Sequence, residues 1–244
     1  MRRIEVCCVS ARDVLEAKKG GAIRVELCTA ISSGGVTPSI GLVRNAVKAA
    51  GGGLLVNVLI RPREGGFCYD ESEIRTMLED IEACRNAGVD GVVIGALTPE
   101  GDIDMDACRR MVDAASGMNV TFHRAFDVCR EPQKALEQII QLGCDHLLTS
   151  GQRPTALEGA ALISQLVRQS AGRITIMPGS GVNPGNIAEI ESLTLASEFH
   201  STARDLVPDL SLRHVPELGF DEVSKAPGMV LRTSAGIVRQ LVEE

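Results

Sequence analysis

A closed (β/α)8 TIM barrel is the fold class this sequence predicts, and three observations predict it. Strand-like apolar runs alternate with helical ones from end to end, eight of each, across 244 residues. Glycine repeatedly closes a helix before the next strand, at Gly20, Gly51, Gly88, Gly117, Gly143 and Gly172, where a left-handed residue ends a helix. No G-x-G-x-x-G follows the first strand, which weakens the alternative of an open doubly wound sheet.

Taken in order, the strands are expected at 4–9, 22–27, 54–60, 90–95, 119–124, 146–151, 173–179 and 197–201, each a short run of apolar and β-branched residues. The helices between them are expected at 11–19, 39–50, 71–87, 104–115, 132–142, 156–170 and 184–192, with a last one at 232–242. Asp70 followed by Glu73 reads as a capping box. Thr37-Pro38 and Asn183-Pro184 read as prolines in a first helical turn. The whole chain, 1–244, reads as one domain, with 205–231 as a long irregular extension before the last helix. So long a loop implies a task for it, such as covering the barrel mouth or making a subunit contact in a dimer or tetramer.

A formal charge of −7 and a sequence pI near 5.2 argue against nucleic acid as a partner. No apolar run reaches the ~18 residues of a membrane span and MRRIEVCCVS has no signal-peptide core, so a cytosolic chain is expected. The eight cysteines form no C-x-x-C pair. In a reducing compartment they are free thiols or ligands, and most, such as Cys84 and Cys108, read as small buried hydrophobes.

The first two strands share a pattern, RIEVC at 3–7 and RVELC at 24–28. Alternate strand residues point to opposite faces. Ile4, Val6 and Cys8 oppose Arg3, Glu5 and Cys7, and Ile23, Val25 and Leu27 oppose Arg24, Glu26 and Cys28. The outer face of a barrel strand packs under helices and must be apolar, so the charged face must be the lumen. By the same parity Asn57, Arg61, Thr121, His123, Glu198 and His200 point inward. Arg3, Arg24 and Arg61 are then expected to meet Glu5, Glu26 and Glu198. A polar lumen departs from the usual filling of branched aliphatics, and such departures mark sites. The plain alternative is a self-neutralising ion network, which contributes little stability.

Several candidates collect late in their strands or just after them, where barrel sites form: Glu26, Cys28, Arg61, Arg63, His123, Arg124, Asp127 and His200. Gly179 and Gly181 in the turn after the seventh strand suggest backbone N–H groups for a phosphate.

The stretches TPS, IRPR-x-G-x-F-x-Y, GALT-x-x-G-x-ID, TFHRAFD, LTSG and MPGSGV, joined to EVC and ELC, resemble the CutC family of proteins assigned to copper homeostasis. The resemblance runs from about residue 4 to about 204. It implies a cytosolic, oligomeric TIM barrel, with Cys7 and Cys28 as the candidate Cu(I) ligands. One departure is visible: Gly66 stands where the family has an aspartate, and Glu64 is added nearby.

Two readings follow. In one, Cys7 and Cys28 flank a Cu(I) ion, since soft thiolates select that ion and adjacent strands lie ~4.8 Å apart. Neighbouring strands fill alternate layers of a lumen, however, which predicts staggered sulfurs. In the other, the chain is an enzyme acting on a small anionic metabolite, with Arg61 as the clamp, Glu26 or Glu5 as base and His123 as acid. The remaining contacts would come from Arg63, Asn57, Arg124, Asp127, Ser150, Gly179, Gly181 and His200. No lysine lies at a strand end, which argues against Schiff-base chemistry. A harder divalent metal on Glu5, Glu26, His123 and His200 is a third option.

Overall fold

In the computed structural model, which describes residues 1–215, 217 and 226–243, eight parallel strands form one sheet nearly closed into a barrel. The strands are β1 (Arg3–Cys8), β2 (Arg24–Leu27), β3 (Leu55–Leu59), β4 (Gly91–Ile94), β5 (Asn119–Phe122), β6 (His146–Thr149), β7 (Thr175–Pro178) and β8 (Glu198–Ser201). The helices are α1 (Ala11–Gly20), α2 (Ile40–Ala50), α3 (Glu71–Ala87), α4 (Met105–Ala114), α5 (Pro132–Leu142), α6 (Ala160–Ser170), α7 (Ile187–Thr194) and α8 (Ala235–Glu243). From β1 to β7 each strand is laddered to the next in sequence, and β8 returns to β1. Between β7 and β8 there is no ladder among the described residues. Ser201 closes that seam from its side chain, donating to the Val182 carbonyl at 2.7 Å.

The core lies between sheet and helices. Ile4, Val6, Val25, Leu27, Val58, Ile94 and Phe122 are inaccessible to solvent and pack against Val14, Met77, Ile81, Leu136 and Ile163 from the helices. Each such side chain contributes roughly 1.5–3 kcal/mol on burial, which is why the strand faces under the helices carry no charge. The lumen holds a separate small apolar set of Cys7, Cys28, Leu59 and Val93.

Gly51, Gly88 and Gly143 are the left-handed C-caps of their helices. Three other expected caps shift. Gly20 is the last residue of α1 and Gly21 (φ 91°) caps it, because Gly20 faces Val238 of α8 with no room for a side chain. Ala115 and Ala171 end α4 and α6, and Gly117 and Gly172 lie in the turns beyond. The Asp70–Glu73 capping box is present. Pro38 precedes the N-cap Ser39, and Pro184 precedes α7 by a turn, so neither lies in a first helical turn.

The expected irregular extension is partly ordered: β9 (Arg204–Pro208) and β10 (Met229–Thr233) form an antiparallel pair beside the barrel. Residues 216 and 218–225, between the two strands, lie outside the described set. Asp13 anchors the pair to the barrel. Its carboxylate accepts from the N–H of Val9, the hydroxyl of Ser10 and the N–H of Thr233.

Candidate functional site

Parity and register build the site in layers. Glu5 lies opposite Arg24 on β2 and opposite His200 on β8, while Cys7 lies opposite Glu26. In the lowest layer the Nε of Arg3 donates to Glu198 at 2.8 Å. Arg24, 3% exposed, forks above it, donating from Nε to Glu5 at 2.5 Å and from Nη2 to Glu198 at 2.7 Å. His146, which was not among the expected site residues, joins here with Nε2 at 3.3 Å from Arg24 Nη1. It starts β6 with inward parity, so alternation was the signal that placed it.

The next layer carries the titratable cluster. His200 Nδ1 donates to Glu5 at 2.7 Å, and its Nε2 stands 3.6 Å from Glu26. Burial opposes the charged imidazole, yet the adjacent Cys7 sulfur and the two carboxylates push its pKa well above the ordinary histidine range. Burial likewise works against the Glu5 carboxylate, but His200 and Arg24 outweigh it and bring the pKa down to about 2. Among the described residues no arginine hydrogen-bonds to Glu26, since Arg24 is committed to Glu5 and Glu198. Burial, aided by the Glu5 charge and only partly offset by His200, raises it to about 7.

Cys7 Sγ and Cys28 Sγ are 3.3 Å apart. Although their strands are in register at Cys7 and Glu26, the two side chains lean together across that offset, so the expected stagger does not separate the sulfurs. The contact with Cys28 and burial raise the Cys7 thiol well above its ordinary pKa. Candidate ligand atoms of Cys7, Glu26 and His200 all lie within 4.8 Å of one another. Two buried thiols are soft donors of the kind that fit Cu(I), whereas the charged His200 would have to release a proton before it could join them.

Above the sulfurs a cavity of about 460 Å³ opens at the C-terminal ends of the strands, along the β7–β8 seam. Cys7, Cys28 and Glu26 line it with His200, and Ile31, Leu59 and Leu148 supply apolar wall. Arg61, Phe67, His123 and the turn Ser180–Asn183 form its rim. Arg61 does not meet the glutamates. It lies at the end of the lumen away from Glu5 and Glu198, where its Nη atoms donate to the carbonyls of Ser33, Gly35 and Gly65 at 3.0, 2.6 and 2.6 Å. It thereby pins the β2–α2 and β3–α3 loops. His123 caps the short 3-10 turn Arg124–Val128, accepting at Nδ1 from the Ala125 N–H at 3.1 Å. Burial and the Arg61 charge lower its pKa to about 3, so it is neutral.

The structure does not bring the remaining candidates to the cavity as a group. Glu5 lies beneath its floor, and Asn57 is buried lower in the lumen. Arg63 is paired with Glu73 of α3 and stacked on Tyr69. Asp127 ties the β5 turn to the end of β6, accepting from Thr149 Oγ1 and from both the N–H and hydroxyl of Ser150. Arg124 borders the cavity, but its guanidinium donates to Asp127 and Ser150. Gly179 serves packing, because a Cβ there would stand 2.5 Å from Leu148 and 3.3 Å from His200, while Gly181 lines the mouth. Glu64 is exposed and Gly66 gives its carbonyl to Arg63. Phe67, also unforeseen as a site residue, covers Arg61 and His123.

Comparison with known proteins agrees with this architecture. The CutC family model matches residues 2–205. A CutC family protein of Parabacteroides distasonis is 53% identical over 206 residues, 84% of each chain. One from Xylella fastidiosa strain Temecula1 is 45% identical over 242 residues, covering 98% of this chain and 87% of its own. A solved structure from Streptococcus agalactiae, provisionally named copper homeostasis protein CutC, is 34% identical with a TM-score of 0.79, covering 83% of this chain and 99% of its own. The chain belongs to the CutC family.

Proposed function

We propose that this protein takes part in copper homeostasis in the cytosol, as a homo-oligomer, and binds Cu(I) through Cys7 and Cys28. The observation that carries this reading is the pair of sulfurs 3.3 Å apart on the floor of an open cavity. Two thiolates suffice for Cu(I), a soft ion content with low coordination. His200 and Glu26 stand beside Cys7, and His200 Nε2 becomes a further donor only when its imidazolium gives up that proton. The Cys7 thiol is protonated in the free protein, so ion binding there releases a proton and tightens as pH rises. Cu(I) itself would supply only its affinity for sulfur. The chain's own residues bury the two sulfurs at the cavity floor and pair the surrounding charges, Glu5 with Arg24 and His200.

The test is a titration of metal-free, reduced protein with Cu(I) against a competing chelator. One ion per chain is expected, with binding lost in the Cys7→Ser, Cys28→Ser double variant and the circular dichroism unchanged. Equal stoichiometry and affinity in the double variant would remove the thiol pair as the site.

A further inference from the structure

The geometry points to a second, separate site in the same mouth: a pocket under Phe67 where Arg61 Nε–H and His123 Nε2–H hold the carboxylate of a small organic acid. Both side chains are buried, Arg61 at 5% and His123 at 4% exposure. Arg61 Nε and His123 Nε2 make no hydrogen bond among the described residues, although the Tyr69 hydroxyl, itself without one, lies close enough to interact with the Arg61 guanidinium. Because His123 Nδ1 accepts from Ala125, the ring proton sits on Nε2, and that N–H is a buried donor without an acceptor. Orphaned buried donors cost free energy, and two of them on one cavity rim need an explanation.

Phe67 supplies the reason they are covered. Its half-buried ring lies 5.1 Å from the His123 ring centroid, and the Arg61 guanidinium carbon lies 5.1 Å from its own centroid. Phe67, Arg61 and His123 line the same cavity, so a ligand must displace this ring to reach the two donors. Gly95 backs the histidine so tightly that a Cβ there would stand 2.6 Å from the ring, which holds Nε2 in place.

The donor set selects the ligand class. Two N–H groups and one full positive charge match the two oxygens and single charge of a carboxylate. A phosphate dianion brings more acceptor sites and charge than these donors answer, and Arg124 is already committed to Asp127 and Ser150. Beyond the donors the walls are Ile31, Leu59 and Leu148, which suit a short apolar body. The cavity volume of about 460 Å³ lies within the range of small-molecule sites.

The test is nuclear magnetic resonance of metal-free protein labelled with 15N-histidine, titrated with acetate, lactate, succinate and, as comparison, inorganic phosphate. A saturable shift of the His123 Nε2 signal with at least one carboxylate, and not with phosphate, is expected. His123→Asn keeps an acceptor for the Ala125 N–H but deletes the Nε2 donor. Calorimetry should show it binding that carboxylate about tenfold more weakly or worse. The Cys7→Ser, Cys28→Ser protein is expected to keep full affinity, so loss of this site and loss of Cu(I) binding are told apart. No saturable shift with any carboxylate, a shift with phosphate alone, or unchanged carboxylate affinity in His123→Asn would overturn the proposal. If His123→Asn does not fold, the wild-type titration decides alone.

Discussion

Glu26 and His123 are buried ionisable groups whose environments shift them in directions opposed to the charged form, and each makes stability depend on pH. For Glu26 the folded pKa of about 7 exceeds the unfolded value of 4.5. Below pH 4.5 both states are protonated. Between 4.5 and 7 the unfolded chain gives up its proton first, so stability falls as pH rises, and the full cost stands above 7. Glu26→Gln removes that cost. It is expected to raise stability by about 2 kcal/mol at pH 8 and by much less at pH 5, checked by urea denaturation at both. His123 runs the other way. Its pKa of about 3 lies below the ordinary 6.5, so its contribution is whole above 6.5 and is lost as pH falls towards 3. Denaturation of His123→Asn between pH 7 and 4 is expected to show a shallower acid destabilisation than the wild-type protein. These inward residues were legible from parity, whereas their charges were not. Parity says which way Glu5 and Glu26 point, but only the positions of Arg24 and His200 make one carboxyl acidic and the other near neutral.

At the scale of elements, the β6–α6 connection is set by backbone contact. A Cβ on Gly159 would lie 1.8 Å from the Ser150 carbonyl oxygen, and one on Gly151 would meet Gly159. Gly159→Ala is therefore expected to cost about 3 kcal/mol or more, read from the shift in denaturation midpoint, since neither partner can yield as a flexible side chain would. This contact also explains why α6 begins at Ala160 rather than at 156. The α3 capping box is a milder case. Asp70 accepts from the N–H groups of Ser72 and Glu73 at 2.8 and 2.9 Å, and Asp70→Ala is expected to cost about 1 kcal/mol by the same measurement. Both ends of α3 and α5 were readable because caps are local chemistry. The start of α7 was not, since Asn183 folds the preceding turn onto itself, bonding Gly185 N–H and the Gly181 carbonyl.

At the scale of the molecule, the last helix completes the shell. Val238, Leu241 and Val242 of α8 are buried in the main core, and Val238 seats directly over Gly20 of α1. Yet the family model ends at residue 205, at the start of β9 and before β10 and α8. Val238→Asp places a charge in that contact. It is expected to cost about 4 kcal/mol and to lower Tm by roughly 10 °C. A thermal melt unchanged by the substitution would mean that α8 is a peripheral appendage. The opening of the barrel also belongs to this scale, because residues from both sides of the unladdered β7–β8 seam, the Ser180–Asn183 turn and His200, line the cavity together with the ends of β1, β2 and β3.

By itself the sequence determined the eight-fold alternation, the strand faces and the presence of arginine, glutamate and cysteine in the lumen, because a two-residue period and helix caps are properties of neighbouring residues. Only the tertiary structure decided which charges meet. Strand register brings Arg24 to Glu5 and Glu198, chain direction carries Arg61 to the opposite end, and side-chain lean joins sulfurs that an ideal layer would separate. Those outcomes depend on distances between strands far apart in the chain, which no local pattern encodes.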